Sequence, residues 1–233
     1  MNNLVAVEDN YAPKDNWLRI EWNLGKRCNY DCSYCGSDIH DRESSHLSLE
    51  VIEKTVKQIA SVAGSQGKEC RISLTGGEPF VHPKIIEILK IIKENGINKI
   101  SVTTNGSVPL KKYAESIPYI DYFIFSYHFE FAYHDKIINT IVELNKLVKE
   151  KKNQNLHVHL MYLPGKMNEA NEIIDIMNEN DVHWVIRRIR PRMDPKTKTW
   201  ALPGKSGLET VHGKVDDLYY SDEELDFMLN KKK

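Results

Sequence analysis

Apolar and polar residues alternate with a period of two in six short stretches of the chain, at about 17–24, 70–75, 98–104, 119–127, 156–162 and 182–189. Each predicts a β-strand. Between them the apolar period lengthens to that of a helix. In KIIEILKIIKENG the residues Ile85, Ile88, Leu89 and Ile92 form one stripe, and Gly96 stands where a left-handed helix end is wanted. A second helix is expected over 134–151, with Ile137, Ile138, Ile141, Val142, Leu144 and Val148 on one face and Lys149, Lys151 and Lys152 at the negative end of its dipole. Ser48 suits the N-cap of a helix running to about residue 63, with Glu50 in its first turn, and 168–180 reads as a shorter helix. A strand-then-helix alternation folds as a parallel sheet with helices outside, because crossovers are right-handed. Six units are fewer than the eight of a closed barrel. The expected fold is therefore α/β: a partial (β/α)6 TIM-like barrel, with its chemistry at the carboxyl ends of the strands. This core is expected over 17–191, preceded by an arm over 1–16 and followed by a tail over 192–233 that ends in one short helix, SDEELDFMLNKKK.

Composition narrows the function classes. A chain of 233 residues, 41% hydrophobic and 28% charged, can bury one sizeable core. Its formal net charge of −1 removes the strongly basic footprint of a dedicated nucleic-acid binder. No run approaches the roughly 18 apolar residues that span a bilayer, and the amino terminus lacks a basic-then-apolar signal region. The sequence thus reads as cytoplasmic, with no membrane partner. Four cysteines in such a setting seldom form disulfides. Three of them, Cys28, Cys32 and Cys35, fall close together on a loop that follows the first strand, and Cys70 stands apart.

Two objects suit such a trio. Structural zinc takes four protein ligands, and Cys70, at the amino end of a strand roughly 20 Å long, is too far away to be the fourth. His40 and His46 are nearer and keep open a zinc-stabilised binding module. The alternative is an iron–sulfur cluster with one iron left without a protein ligand. Here the sequence resembles the radical S-adenosylmethionine superfamily, whose signature is C-x3-C-x2-C with an aromatic residue before the last cysteine: Cys28, Cys32, Tyr34 and Cys35. The segment LTGGEPF at the end of the second strand strengthens the likeness, since Gly76, Gly77 and Glu78 match the superfamily's GGE element.

The resemblance implies a [4Fe–4S] cluster on the three cysteines and S-adenosyl-L-methionine chelated to its open iron. The GGE loop then holds the methionine ammonium, with the two glycines letting the ligand approach the backbone. Reductive cleavage would give a 5′-deoxyadenosyl radical that takes hydrogen from a substrate. It also implies a reductant such as flavodoxin or ferredoxin. Asn105, in VTTNGS after the third strand, matches a TNG element and is expected at the adenosine. Ser126 is expected to face inward with Ile124 and His128 while Phe123, Phe125 and Tyr127 pack under helices. His128, His159 and Arg188 are candidates for catalysis, and the arginines closing the sixth strand suit an anion. The fifth-strand pattern G-x-I-x-G-x-x-E usual in the superfamily is replaced by LMYLPGK, and no cysteine follows Cys70, so auxiliary clusters are not expected in this chain. The likeness is to a short, core-only member of the SPASM and MoaA-like branch. Its substrate is expected to be a small metabolite, an anionic one included, or a peptide side chain. A second enzymatic reading is an activase that installs a glycyl radical on a partner protein.

Overall fold

The computed structural model describes residues 16–35, 39–132, 134–151, 154–189, 192–193, 200–201 and 220–231. The arm expected over 1–16, apart from its last residue, and most of the tail lie outside them, as do Lys152 and Arg190. Strands β1 (Trp17–Asn23), β2 (Glu69–Thr75), β3 (Lys99–Thr104), β4 (Tyr122–His128), β5 (Asn155–Tyr162) and β6 (His183–Arg188) pair in chain order into one six-stranded sheet. Every pairing in it is parallel. The helices between them are α1 (Leu49–Ser65), α2 (Ile85–Glu94), α3 (Leu110–Ser116), α4 (His134–Lys149) and α5 (Met167–Glu179). With β1 and β6 as its two edges the sheet is an open, partial barrel, as the alternation predicts.

The two faces of the sheet differ in chemistry. Ile72, Leu74, Ile100, Val102, Phe123, Phe125, Val158 and Leu160 are buried against Ile52, Val56, Ile88, Leu89, Ile141, Leu144, Ile173 and Ile174 of the helices. That apolar layer is the source of most of the stability, at roughly 25 cal/mol for each Å² removed from water. The opposite face is richer in polar groups, with Arg19, Glu21, Arg71, Ser73, Ser101, Ser126, His157, His159 and Arg187 on it among Tyr122, Ile124, Met161 and Val185. Phe123, Phe125 and Tyr127 are buried under the helices, while Ser126 and His128 take the other face, as expected.

Local signals account for most element ends. Ser48 caps α1 by accepting from the Val51 amide at 3.3 Å. Gly96 adopts φ 82° just after α2. Two elements of the core, and a strand pair beyond it, were not foreseen. Helix α3 has too few apolar residues, among them Leu110, Tyr113 and Ala114, to show a period, and a 3-10 turn (Pro79–Val81) follows the Gly-Gly-Glu segment directly. A short antiparallel pair, β7 (Arg192–Met193) with β8 (Trp200–Ala201), lies beyond the main sheet. The final helix, α6 (Asp222–Asn230), carries a capping box in which Ser221 and Glu224 satisfy each other's backbone amides. Glu224 also accepts from the Tyr162 hydroxyl at 2.9 Å and the Gly165 amide at 2.6 Å, so this helix is held to the carboxyl end of β5. Tyr220 contributes to the same junction, donating to the Tyr162 carbonyl and accepting from the Ile189 amide.

At the amino ends of the strands, Asp121 joins three elements. Its carboxylate accepts from Lys93 at 2.8 Å, Lys99 at 2.9 Å and the Ile100 amide at 2.9 Å. Burial pushes its carboxyl up, but the two lysines and the amide outweigh that and hold it below the usual value of 3.8. A group lowered on folding stabilises above its unfolded pKa and loses that contribution as pH falls through the lower folded value. Asp121→Asn should therefore be less stable than wild type at neutral pH, and the gap should shrink as pH falls below 3.8. Urea midpoints of the two proteins across that range measure it.

Candidate functional site

The three clustered cysteines are positioned by a loop that clamps the end of β1 onto the end of β2. Leu24 continues the strand pairing through its amide to the Thr75 carbonyl at 3.0 Å. The Gly77 amide then donates to the Gly25 carbonyl at 2.8 Å, and the Glu78 amide to the Arg27 carbonyl at 2.9 Å. The loop is closed from the other side by Cys28 and Asp41, whose amide and carbonyl bond at 2.7 Å. This contact explains the two glycines differently from the sequence. A Cβ on Gly76 would lie 2.5 Å from the Gly25 carbonyl oxygen, and one on Gly77 only 2.2 Å from that of Arg27. The missing side chains make room for the cysteine loop itself, and the same turn also lines the cavity where a ligand was expected to approach. Gly76 also has φ 124°, which L side chains rarely adopt.

Beneath the loop is a cavity of about 140 Å³ whose wall includes Cys28, Cys32 and Cys35, the Gly76–Glu78 turn, Asn105, Ser126 and His128. The structure thus brings together on one cavity most of the residues singled out from the sequence. Tyr34 stands at its edge, with its hydroxyl hydrogen-bonded to Nδ1 of His128 and the two rings stacked 5.8 Å apart. His159 and Arg188 do not line this cavity. His159 sits on the polar face of β5, where burial, then Arg187 and His157, lower it to about 4. Arg188 is exposed at the end of β6. Thr75, Thr103, Thr104, Tyr30 and His40 also line the cavity and were not foreseen as a group. For the threonines the signal was available: each is at a strand's carboxyl end.

Buried sulfur needs compensation. Cys32 is 4% exposed, and Cys28 and Cys35 are half-buried. Burial pushes the Cys28 thiol up, and the neighbouring Cys35 sulfur, followed by burial, does the same to Cys32. Three thiolates would be stable together here only beside a cationic group. Among the described residues no three His, Cys, Asp or Glu side chains gather closely enough to hold a single metal ion. Three thiols presented by one loop are the kind of donor set that an iron–sulfur cluster takes. His40, a possible fourth ligand in the zinc reading, pairs with Asp31 at 3.0 Å, and the ring of His46 packs on that of His82. Cys70 is buried at the opposite end of β2, where desolvation pushes it to about 11.

Glu78 is the hub of the remaining polar contacts. One carboxylate oxygen accepts from the Phe80 amide at 2.9 Å and the Thr104 hydroxyl at 2.8 Å, and the other from the Asn105 amide at 2.5 Å. By lone-pair count one acceptor direction is left. Burial raises its carboxyl to about 7, against the donors that favour the charged form. Burial alone lowers His128 to about 4, so its imidazole is neutral at physiological pH.

A profile of the Radical SAM superfamily matches residues 22–179. Among curated proteins, the chain is 39% identical over 113 residues to a probable GTP 3′,8-cyclase of Methanothermobacter marburgensis, covering 46% of this chain and 35% of that protein. It is 31% identical over 118 residues to the GTP 3′,8-cyclase of Peptoclostridium acidaminophilum, covering 50% and 35%. The matches thus span about a third of those relatives' length. Among solved structures, Streptococcus suis SuiB bound to the precursor peptide SuiA has a TM-score of 0.60 at 19% identity, covering 85% of this chain and 43% of that one. A structure of anSMEcpe with bound AdoMet gives 0.54 at 16% identity, covering 76% and 51%.

The contact between the two loops makes a direct prediction. Gly77→Ala should lower the urea midpoint and make the segment around Arg27 a site of rapid limited proteolysis, since the new methyl cannot coexist with the Arg27 carbonyl. Gly64→Ala, on α1 with nothing within 4 Å of the added carbon, should be neutral or stabilising by up to about 1 kcal/mol.

Proposed function

The chain belongs to the radical SAM superfamily, and on that premise we propose that Cys28, Cys32 and Cys35 hold its [4Fe–4S] cluster and that the cavity beside them receives S-adenosylmethionine. Enzymes of this superfamily use that cluster and that cofactor. The observation that carries the assignment is the gathering of three thiols from one loop on a cavity that the Gly-Gly-Glu turn also lines. When bound, the cluster and S-adenosylmethionine supply reductive cleavage of a carbon–sulfur bond and removal of a hydrogen atom from a substrate.

The protein's part is to bind, orient and shield. The remaining acceptor direction of Glu78 suits an ammonium, and a cation placed there would favour its ionised form despite burial. Ser126, on the cavity wall, offers a hydroxyl to a ribose or a carboxylate. Neutral His128 presents hydrogen-bonding nitrogens without adding positive charge beside the sulfurs. Tyr34 covers His128 from the loop side.

The substrate is a polar molecule that lies along the inner face of the open sheet, a small metabolite or a peptide side chain. Arg19, Arg71, Arg187 and the histidines of β5 and β6 provide cationic and hydrogen-bonding groups there, which favours an anionic substrate. The curated relatives are named for a reaction of GTP, and one structural neighbour holds a peptide. Both are consistent with a polar inner face. Electrons come from an external one-electron donor such as flavodoxin or ferredoxin. No observation favours the activase reading.

Anaerobic reconstitution tests the assignment. Wild type should become brown, bind iron and sulfide, and cleave S-adenosylmethionine when reduced. Cys28→Ala, Cys32→Ala and Cys35→Ala should each lose the cluster and the cleavage, whereas Cys70→Ala should keep both. Iron loss in the Cys70 variant, or retention of a full cluster in any of the other three, would overturn it.

A further inference from the structure

Asn105, expected at the adenosine, lines the cavity, and its side-chain amide also has partners within the protein. The residue is 5% exposed. Its Oδ1 accepts from the Ser107 backbone amide at 3.0 Å. Its Nδ2 donates to Asn29 Oδ1 at 3.0 Å and to the Cys28 sulfur at 3.8 Å. Asn29 Oδ1 is held in place by a second donor, the Ser107 hydroxyl, at 3.2 Å.

This arrangement fixes the orientation of the amide. The Ser107 N–H can only donate, so the group facing it must be the oxygen of Asn105. The nitrogen is then left to face Asn29 and the sulfur. The main chain of Asn105 is pinned as well, through its amide to Glu78. A buried N–H is thus aimed at Cys28 by three neighbours, Ser107, Asn29 and Glu78, and the Tyr30 backbone amide adds a second donor to the same sulfur at 3.4 Å.

We propose that Asn105 is a positioning residue that tunes the cluster through Cys28, its side-chain N–H drawing electron density from that sulfur and raising the cluster's reduction potential. The physical basis is general: hydrogen bonds to the ligating sulfurs stabilise the more negative, reduced form of an iron–sulfur cluster. Two N–H groups converge on Cys28, one from the main chain and one from a side chain. Only the second can be removed by substitution. The proposal rests on the reading that Cys28 is a cluster ligand.

The test is a redox titration of the reconstituted full-length protein, without S-adenosylmethionine, followed by the electron paramagnetic resonance of the reduced cluster. Asn105→Ala removes the donor and adds no charge. Asn105→Asp keeps the acceptor for Ser107, removes the donor and adds a negative charge. Both should keep wild-type iron content. At a fixed ambient potential the reduced-to-oxidised ratio should fall by up to about tenfold in Asn105→Ala, equivalent to about 59 mV for a one-electron couple, and further in Asn105→Asp. A purely structural role would change iron content and leave the potential of the remaining clusters unmoved. An unchanged potential in Asn105→Ala at full iron content overturns the proposal while leaving the cluster assignment intact. A wild-type protein that takes up no cluster overturns both. Should both variants lose their iron, wild type labelled with ¹⁵N in the asparagine side chain decides. A magnetic coupling between that nitrogen and the reduced cluster supports the proposal, and its absence overturns it.

Discussion

The site depends on one backbone contact: the segment after β1 lies so close to the Gly76–Gly77 turn that no side chain fits between them. Carbonyls of Gly25 and Arg27 receive the amides of Gly77 and Glu78, and a methyl on either glycine would penetrate those oxygens. A loop with three thiols is thereby fastened to the carboxyl end of the sheet by main-chain bonds that do not depend on the loop's own side chains. Precision at the sulfurs is inherited from the strand register, which begins at Trp17 with Glu69 and runs through Asn23 with Thr75.

From that contact a chain of polar groups runs sideways across the strand ends. Glu78 leaves the turn and accepts from Thr104 and from the main chain of Asn105 on β3 and its loop, and Asn105 returns to Cys28 and Asn29. The loops after β1, β2 and β3 therefore form a closed circuit in a desolvated setting, where each hydrogen bond is worth more and each missing partner costs more. Beyond this circuit the cavity wall is completed by Ser126 and His128 of β4. Burial keeps Glu78 near 7, so its charge responds to what is placed beside it.

Much of this was legible in the sequence because two independent periodicities agreed. Period-two stretches located all six strands of the main sheet to within a few residues, and the helical stripe from Ile85 to Ile92 located α2. Cysteine spacing and the Gly-Gly-Glu segment marked the site because each sits where a strand ends. Contacts that run between chemically ordinary residues left no such mark. Nothing in the spelling of Asn29, Thr104 or Ser107 announces that they bond across the strand ends. The contact made by Gly76 and Gly77 with the cysteine loop was not foreseen for the same reason: a glycine pair signals close approach but not by what, and one partner here is the protein's own backbone. Arg188 and His159 were singled out by residue type and strand position, while the cavity around the cysteines is closed by other residues.

The separation of the two sheet faces explains how a likeness at 19% identity can carry the fold over 85% of this chain. Stability comes from the helix-side layer, where any apolar side chain of suitable volume serves, so residues there can change while the fold persists. The cysteine loop and the Gly-Gly turn cannot drift in this way, since their contact admits no Cβ. The inner face is bound by neither constraint. Arg19, Arg71, His157, His183 and Arg187 are held in register by the same backbone ladder as the core, yet none is needed to fill it. A molecule laid across that face would meet groups whose spacing is fixed by strand pairing and whose chemistry is not dictated by the core.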